Sequence, residues 1–350
     1  MLLPVETVIL RTFFEKKNSQ NKRMTLLEFK KSSFLPSIEL LSNLKEDINL
    51  TRSIFSYKHY YVMYCRFWDL DLNHDMKINF QDFQYFNNSS LTRVMCNKIV
   101  KNFRSERGFR NRKVAFQDKS KIEAEVDDEF LTFGEFCFFL LCNEDKKKDT
   151  SIEFWFRCLD TDADGILSLY ELKNFWEEQY ERMLCINFPD PWLFDDFICV
   201  LIDLIKPNDP FKITILDLKK CKKNTELFLD MIFDIRKYEH HIKRNHPEFR
   251  DQDDIYICNS GSNIKIALDG WDKYAEKSYD EMMRVESRRR QTSNNSFSSN
   301  NSYNSSQEQN DYNLDNMEWS SNLYNGGWDD NEDHQHNSNE VVQDFTSTQA

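Results

Sequence analysis

A six-residue pattern recurs five times in this chain of 350 residues. Each copy places an aliphatic residue before Ser, Thr or Asn, followed by two spacer residues, an acidic residue and an apolar residue. The polar residue can cap the first turn of a helix, and the acid three positions later can bond back to that cap. The pattern predicts five helix starts and favours a mainly α fold built from repeated units. The copies are Met24–Phe29, Ile78–Phe83, Leu131–Phe136, Leu167–Leu172 and Ile213–Leu218.

The aliphatic residue in front of each cap distinguishes this pattern from ordinary helix capping. A calcium-binding EF-hand loop has an aliphatic residue at its eighth position, a cap at its ninth and a ligating acid at its twelfth. We therefore expect each copy to be the second half of an EF-hand-like helix-loop-helix unit. Only two of the five copies are preceded by a set of oxygen ligands.

The loop Asp160–Glu171 matches the calcium-binding pattern at every position that supplies a ligand. Gly165 stands at the sixth position, where the turn needs a positive φ. Oxygen donors without His or Cys select calcium or magnesium over zinc or copper. The predicted ligands are the side chains of Asp160, Asp162, Asp164, Ser168 and Glu171 and the backbone carbonyl of Ile166.

The loop Asp71–Asp82 has the same spacing with two departures, Met76 in place of Gly and Asp82 in place of Glu. A non-glycine residue in the left-handed conformation costs about 1–2 kcal/mol, and the shorter Asp82 reaches an ion less easily with both oxygens. We therefore predict a weaker calcium site, with magnesium binding or an empty structural loop as the alternatives. The predicted ligands are Asp71, Asn73, Asp75, the carbonyl of Lys77, Asn79 and Asp82, whereas His74 is expected to point to solvent.

The three other copies lack the acidic set, so residues 17–28, 124–135 and 206–217 are expected to form loops without metal. EF-hands usually pair through their loops. Ile78 is therefore expected to pair with Leu131, and Leu167 with Ile213, because an unpaired hand would expose half of its apolar face.

The end of the chain differs in composition from the rest. Residues 291–350 are rich in Asn and Ser and contain ten Asp and Glu but no Lys or Arg. Such a segment cannot bury enough apolar surface to offset chain entropy, which predicts a disordered tail. The predicted organisation is a first EF-hand region over 1–145, a second with C-terminal helices over 146–290, and the tail over 291–350.

Composition also excludes several classes of function. Without the tail, 46 Lys and Arg face 49 Asp and Glu, so no strong field favours nucleic acid or an anionic membrane. Nine Cys form no CxxC pair and are expected to be reduced core residues. No run approaches the length of a membrane span. No nucleophile with a His partner, phosphate-binding glycine loop or zinc motif predicts an enzyme.

Four further stretches are not generic EF-hand sequence, and they resemble the B'' family of protein phosphatase 2A regulatory subunits. These stretches are Glu46–Asn49, Phe55–Asp71, Thr150–Asp160 and Trp271–Ala275, and the likeness runs from about Val5 to Glu286. The resemblance implies an elongated, mainly helical subunit that docks on the HEAT-repeat scaffold subunit, leaves catalysis to the catalytic subunit and helps select phosphoprotein substrates. It also implies calcium at the two loops named above and an effect of calcium on assembly. The start of the chain lacks the basic region of a signal peptide and no later run could span a membrane, which predicts a cytoplasmic protein, with the nucleus and the centrosome as further compartments.

Members of that family carry sequence before the point that matches Val5, including helical segments that help contact the scaffold. The resemblance therefore leaves two alternatives, a chain shortened at this end or a different mode of docking.

A stand-alone calcium sensor is the competing interpretation. It predicts well-formed paired hands around a Met-rich groove that opens when calcium binds. The ten Met of this chain are scattered, and three of the five hands lack ligands. Both observations favour the regulatory subunit.

Overall fold

The computed structural model describes residues 3–15, 24–43, 54–114, 129–188, 190–245, 256–259 and 262–298, all within one structural unit. Most of these residues are helical, which confirms the expected mainly α array of EF-hand-like units. The helices are α1 (Leu3–Phe14), α2 (Leu26–Lys30), α3 (Phe34–Asn43), α4 (Tyr57–Trp68), α5 (Phe80–Phe83), α6 (Arg93–Val114), α7 (Phe133–Glu144), α8 (Asp149–Leu159), α9 (Leu169–Cys185), α10 (Phe194–Ile205), α11 (Ile215–Lys220), α12 (Lys222–Phe233), α13 (Ile235–Asn245) and α14 (Gly270–Ser298). The strands are β1 (Lys77–Asn79), β2 (Phe130–Thr132), β3 (Ile166–Leu167), β4 (Ile213–Thr214), β5 (Tyr256–Asn259) and β6 (Ser262–Ala267).

Each of the five repeated patterns starts a helix, as predicted. In every case the side chain of the polar residue accepts a hydrogen bond from the backbone N–H three residues later. In four cases the acid also accepts a bond from the backbone of the cap, which completes a capping box. The capping residues are Thr25, Asn79, Thr132, Ser168 and Thr214.

The loops pair as the sequence predicts. Strand β1 pairs antiparallel with β2, with Ile78 opposite Leu131. Strand β3 pairs antiparallel with β4, with Leu167 opposite Ile213. Each loop that carries the acidic set is thus joined through backbone hydrogen bonds to one that does not.

One aromatic core holds the helices together. The Phe139 ring contacts Phe83 and Phe86, each at a centroid distance of 5.0 Å. Trp155 stacks on Phe233 at 4.5 Å. All five side chains belong to a single buried apolar cluster. That cluster contains residues from before and after position 145, so it does not separate the regions 1–145 and 146–290. The division into these two regions stays a prediction.

Some features lie outside the expectations. Strands β5 and β6 form a hairpin that was not expected, although alternating apolar residues around Asn259, Ser260 and Gly261 are a hairpin signal.

Helix α14 continues to Ser298, past the predicted boundary at 291, because no Gly or Pro interrupts it after Gly270. Residues 299–350, most of the predicted tail, lie outside the described residues, as do 17–23 and 124–128 of two predicted empty loops.

Five of the cysteines are buried and unbridged, as expected for reduced core residues: Cys65, Cys96, Cys137, Cys142 and Cys158. Cys185 and Cys199 are exposed. Within the described part of the chain, no helix combines the length and the apolar character needed to cross a membrane.

Candidate calcium sites

The three aspartates of the loop Asp160–Glu171 converge on one point. Carboxylate oxygens of Asp160, Asp162 and Asp164 all lie within 4.8 Å of one another. Backbone N–H groups hold them there: that of Asp164 donates to both Asp160 and Asp162 at 3.2 Å, and that of Gly165 donates to Asp160 at 3.0 Å. This turn requires a φ of +84° at Gly165, and an added Cβ would meet nothing within 4 Å. The glycine is therefore needed for its conformation and not for space.

Glu171 closes this loop from the start of helix α9. Its Oε1 accepts a hydrogen bond from the backbone N–H of Thr161 at 2.6 Å, and its Oε2 accepts bonds from the Ser168 N–H and hydroxyl at 2.9 Å. The side chain thus reaches from the twelfth position across to the second. A bidentate ligand is needed at this twelfth position, although the cluster of oxygens within 4.8 Å of one another contains only the three aspartates.

Burial and mutual repulsion of the acids in this loop favour a bound cation. Burial raises the pKa of Asp160, and the negative charge of Glu171 raises it further, whereas the N–H of Gly165 acts in the opposite direction. Carboxylates that disfavour one another's ionisation are stabilised together by a bound divalent cation. The donor set therefore fits calcium.

The loop Asp71–Asp82 repeats this arrangement. The fully buried Asp71 accepts hydrogen bonds from the N–H groups of Asp75 and Met76, at 3.2 and 2.9 Å. Asn73 accepts a bond from the N–H of Asp75 at 3.3 Å, and Asp75 accepts one from Lys77 at 2.8 Å. The first, third and fifth side chains are therefore oriented by backbone donors, as they are in the other loop.

The two departures in this loop have visible consequences. Met76 has a φ of +64°, so it adopts the left-handed conformation expected of glycine. Asp82 accepts its side-chain bond from the amide of Asn79, at 2.6 Å, whereas Glu171 also reaches the start of its own loop. Burial raises the pKa of Asp82, and the charge of Asp71 raises it further. The shorter acid therefore still interacts electrostatically with Asp71 at the first ligand position.

His74 lies apart from the ligand positions. Its ring is exposed and stacks on Trp68, with a centroid distance of 3.9 Å and an interplanar angle of 8°. The imidazole is thus held against the end of helix α4, in line with the expectation that it is not a ligand.

In two of the three hands without an acidic set, a basic side chain of the protein approaches the acid at the twelfth position. Arg107 Nε lies 3.5 Å from Glu135, and Lys220 Nζ lies 3.6 Å from Asp217. Although burial opposes it, hydrogen bonds from Thr214 and the charge of Lys220 hold the pKa of Asp217 below its usual range. These acids already have cationic partners within the protein.

Comparison with known proteins gives a consistent result, although no protein-family model matches the chain. The chain is 37% identical to the human B''-beta regulatory subunit of serine/threonine-protein phosphatase 2A, over 79% of this chain and 44% of that protein. It is 36% identical to the human B''-alpha form, over 81% of this chain and 22% of that protein. It is 34% identical to the mouse B''-delta form, over 79% and 51%. The chain thus spans about half or less of the length of these relatives.

A solved structure decides the matter. A chain of a PP2A PR70 holoenzyme is 37% identical and superposes with a TM-score of 0.57, over 68% of this chain and 80% of that one. The chain belongs to the B'' family of protein phosphatase 2A regulatory subunits. That holoenzyme structure also carries the designation diCa.

Apart from the two candidate loops, the described part of the chain contains an acidic cluster that the sequence did not indicate. Ligand atoms of Glu226, Asp230 and His241 lie within 4.8 Å of one another. Asp230 is fully buried, 2.6 Å from Lys146 Nζ and 2.8 Å from His241 Nε2. Burial opposes its ionisation, but the charge of Lys146 dominates its partners and the pKa is lowered. This cluster is therefore a buried ion-pair network that the protein neutralises itself.

Proposed function

We propose that this chain is a calcium-binding regulatory subunit of a protein phosphatase 2A holoenzyme. It docks on the HEAT-repeat scaffold, brings phosphoprotein substrates to the catalytic subunit and performs no catalysis itself. The observation that carries the proposal is the pairing of two acidic loops with two loops without the acidic set, in a chain that shares 37% identity with a chain of a phosphatase holoenzyme.

Calcium is the ion that fits the donor set. At the stronger site it would be held by Asp160, Asp162, Asp164, the carbonyl of Ile166, Ser168 and Glu171. At the weaker site it would be held by Asp71, Asn73, Asp75, the carbonyl of Lys77, Asn79 and Asp82. The bound ion supplies positive charge that neutralises the clustered carboxylates and fixes the loop between its two helices. Magnesium is the alternative at the weaker site, because the monodentate Asp82 suits its smaller coordination number.

Calcium would act on assembly through differential affinity. A ligand shifts an equilibrium only if it binds one state better than the other, and allosteric couplings of about 1–3 kcal/mol are typical. An ion that orders the loops against the surrounding helices would therefore strengthen scaffold binding by about 5- to 150-fold. The nearly neutral composition of residues 1–290 supports protein partners over nucleic acid or membrane surfaces. We place the chain in the cytoplasm, with the nucleus and the centrosome as further compartments.

The direct test is binding of the full chain to a purified phosphatase 2A scaffold subunit, with calcium and with a chelator. The double variant Asp160→Asn/Glu171→Gln should weaken binding as the chelator does. The control Asp195→Asn/Asp196→Asn changes the charge equally at two exposed positions of α10 and should leave binding unchanged. If the chain ignores the scaffold at every calcium level, the phosphatase proposal fails and the stand-alone sensor takes its place.

A second measurement tests the non-catalytic role. The purified chain should show no phosphatase, kinase or protease turnover. Turnover that survives repurification and is lost with a point mutation in this chain would contradict the proposal.

A further inference from the structure

A strained connector follows the first calcium loop. It leads from α5, which contains the predicted ligand Asp82, to the first residue of α6, Arg93. Asn87, Asn88 and Ser89 in this connector all have left-handed backbone conformations, with φ of 49, 57 and 56°. Each of these side chains has a Cβ that crowds the following carbonyl oxygen in that conformation. Three such residues in succession persist only where the surrounding structure holds them.

Helix α9 of the second calcium loop supplies part of that hold. The Glu178 carboxylate accepts hydrogen bonds from the backbone N–H groups of Arg93 and Val94, at 2.5 and 2.8 Å. It therefore caps α6 from a different element and places a negative charge at the positive end of that helix. The Arg182 guanidinium donates to the carbonyl of Ser89. Two side chains of one helix thus contact the connector at Ser89 and the start of α6 directly after it.

The other side of the connector is anchored in the core. Leu91 is buried and forms a bridge with Asp234, and the Thr92 N–H donates to the carbonyl of Phe233 at 3.0 Å. These contacts fix the connector at Thr92. A movement of α9 therefore acts on the left-handed residues before Thr92 and on the start of α6 after it.

The contact residues share one face of α9 with the calcium ligand Glu171. Glu178 and Arg182 follow it by seven and eleven residues, which correspond to about two and three helical turns. Both oxygens of Glu171 accept hydrogen bonds from its own loop. When both oxygens bind the ion, Oε1 gives up its hydrogen bond from the Thr161 N–H, and the side chain shifts. A shift at Glu171 is therefore carried along α9 to the groups that hold the connector.

We propose that Glu178 and Arg182 are positioning residues that couple the two calcium loops, so that calcium at Asp160–Glu171 raises the calcium affinity of Asp71–Asp82. The inference rests on the calcium binding proposed above. The route is contiguous, because Phe80 of α5, Arg93 and Glu178 also line one cavity. Since a contiguous route by itself does not demonstrate coupling, the proposal depends on a measured energy between the sites.

Calorimetry on the full chain measures that coupling. Glu171→Gln leaves only the first site, Asp82→Asn leaves only the second, and the unaltered chain has both. We expect the two sites together to bind about fivefold or more tightly than the product of the single-site affinities, within the usual range for allosteric coupling. Adding Glu178→Ala to all three chains should remove this excess while changing each single-site affinity little.

The matched control is Glu177→Ala, which removes the same charge from the adjacent, exposed position of α9 and should keep the coupling. Arg182→Met is the second test variant, and circular dichroism establishes that each variant is folded. Coupling that disappears in the folded Glu178 or Arg182 variant but not in the control supports the inference. Coupling that persists in the folded variants, or none in the unaltered chain, overturns the inference and leaves calcium binding intact. An unaltered chain that binds no calcium overturns the proposed calcium function as well.

Discussion

The two candidate calcium loops share left-handed backbone at their fourth and sixth positions but end in different acids. In each loop two residues adopt positive φ, His74 and Met76 in the first and Ala163 and Gly165 in the second. In each, backbone N–H groups orient the first three side chains. The loops diverge at the twelfth position, where Glu171 spans its loop and Asp82 bonds only three residues back. The turn is therefore kept where Met76 replaces glycine, and the length of the closing acid is what separates the two loops.

Acids at the predicted calcium positions differ from acids that basic side chains of the protein neutralise. Asp230 has Lys146 and His241 as partners, and Asp217 has Lys220. Glu171 instead accepts hydrogen bonds from neutral donors and raises the pKa of Asp160. Carboxylates that lie close together therefore do not by themselves identify a metal site.

The largest effect on stability is expected at Asp230, where a lysine of the protein supplies the balancing positive charge. Asp230→Ala leaves the buried Lys146 without its carboxylate, so the free energy of unfolding should fall by about 3–5 kcal/mol. Denaturant unfolding measures the loss, and calorimetry should still find two calcium sites in the folded variant. Glu226→Ala, on the same helix and half-exposed, should cost about 0–1 kcal/mol. Loss of a bound ion with Asp230→Ala would show that this cluster binds metal.

Removal of the closing acid should have the next largest effect. Glu171→Gln deletes the charge of the predicted bidentate ligand, and we expect the tighter calcium site to weaken by at least roughly 100-fold, about 2.7 kcal/mol, so that its binding isotherm is lost. Calorimetry resolves the two sites. Asp82→Asn should remove the weaker one, and the ranking of the sites is reversed if that variant loses the tighter one.

Restoring the longer acid should reduce the difference between the loops. Asp82→Glu gives the first loop the reach of the second, and its calcium affinity should rise about tenfold, equivalent to about 1.4 kcal/mol. The same change should increase the preference for calcium over magnesium. An unchanged affinity would mean that the length of the twelfth side chain does not limit this site.

Glycine at the sixth position should act on stability. Met76 already adopts the left-handed conformation, so Met76→Gly relieves about 1–2 kcal/mol of strain and loses about 0.5–1 kcal/mol to chain entropy. Because the Met76 side chain also packs, partly buried, against the core, the reference is Met76→Ala, and Met76→Gly should be the more stable of the two by a few tenths to about 1 kcal/mol. Chemical denaturation in calcium measures the difference, and a Gly variant no more stable than the Ala variant would contradict the strain argument.

The smallest effect is a dependence on pH. The pKa of Asp160 in the folded chain is raised, first by burial, so its favourable contribution to stability is present below its ordinary pKa of about 4. That contribution is lost as the pH rises through the raised value. In chelator, acidification from pH 7 should therefore lessen the destabilisation from this group, and in calcium the stabilisation by the ion should weaken over the same range. Thermal unfolding of the unaltered chain and of Asp160→Asn tests both signs.

The sequence by itself determined the local features of the two candidate loops. The five helix starts, the ligand positions of both loops and the partners of Ile78 and Leu167 follow from groups no more than twelve residues apart or from the need to cover an apolar face. The left-handed Met76 follows from the same spacing. The helix starts and the ligand positions are local because short hydrogen-bonded turns specify them, whereas the pairing of the loops follows from the need to cover their apolar faces.

Only the tertiary structure decided which charges meet. The pairing of Lys146 with Asp230 joins residues 84 positions apart, and Glu178 caps a helix that begins 85 positions earlier. No pattern in the sequence marks either contact, because acids and bases are abundant and their partners depend on how the helices pack around the shared aromatic core. Burial then sets the strength of each pair, since removal from water makes a charge costly unless a partner lies beside it.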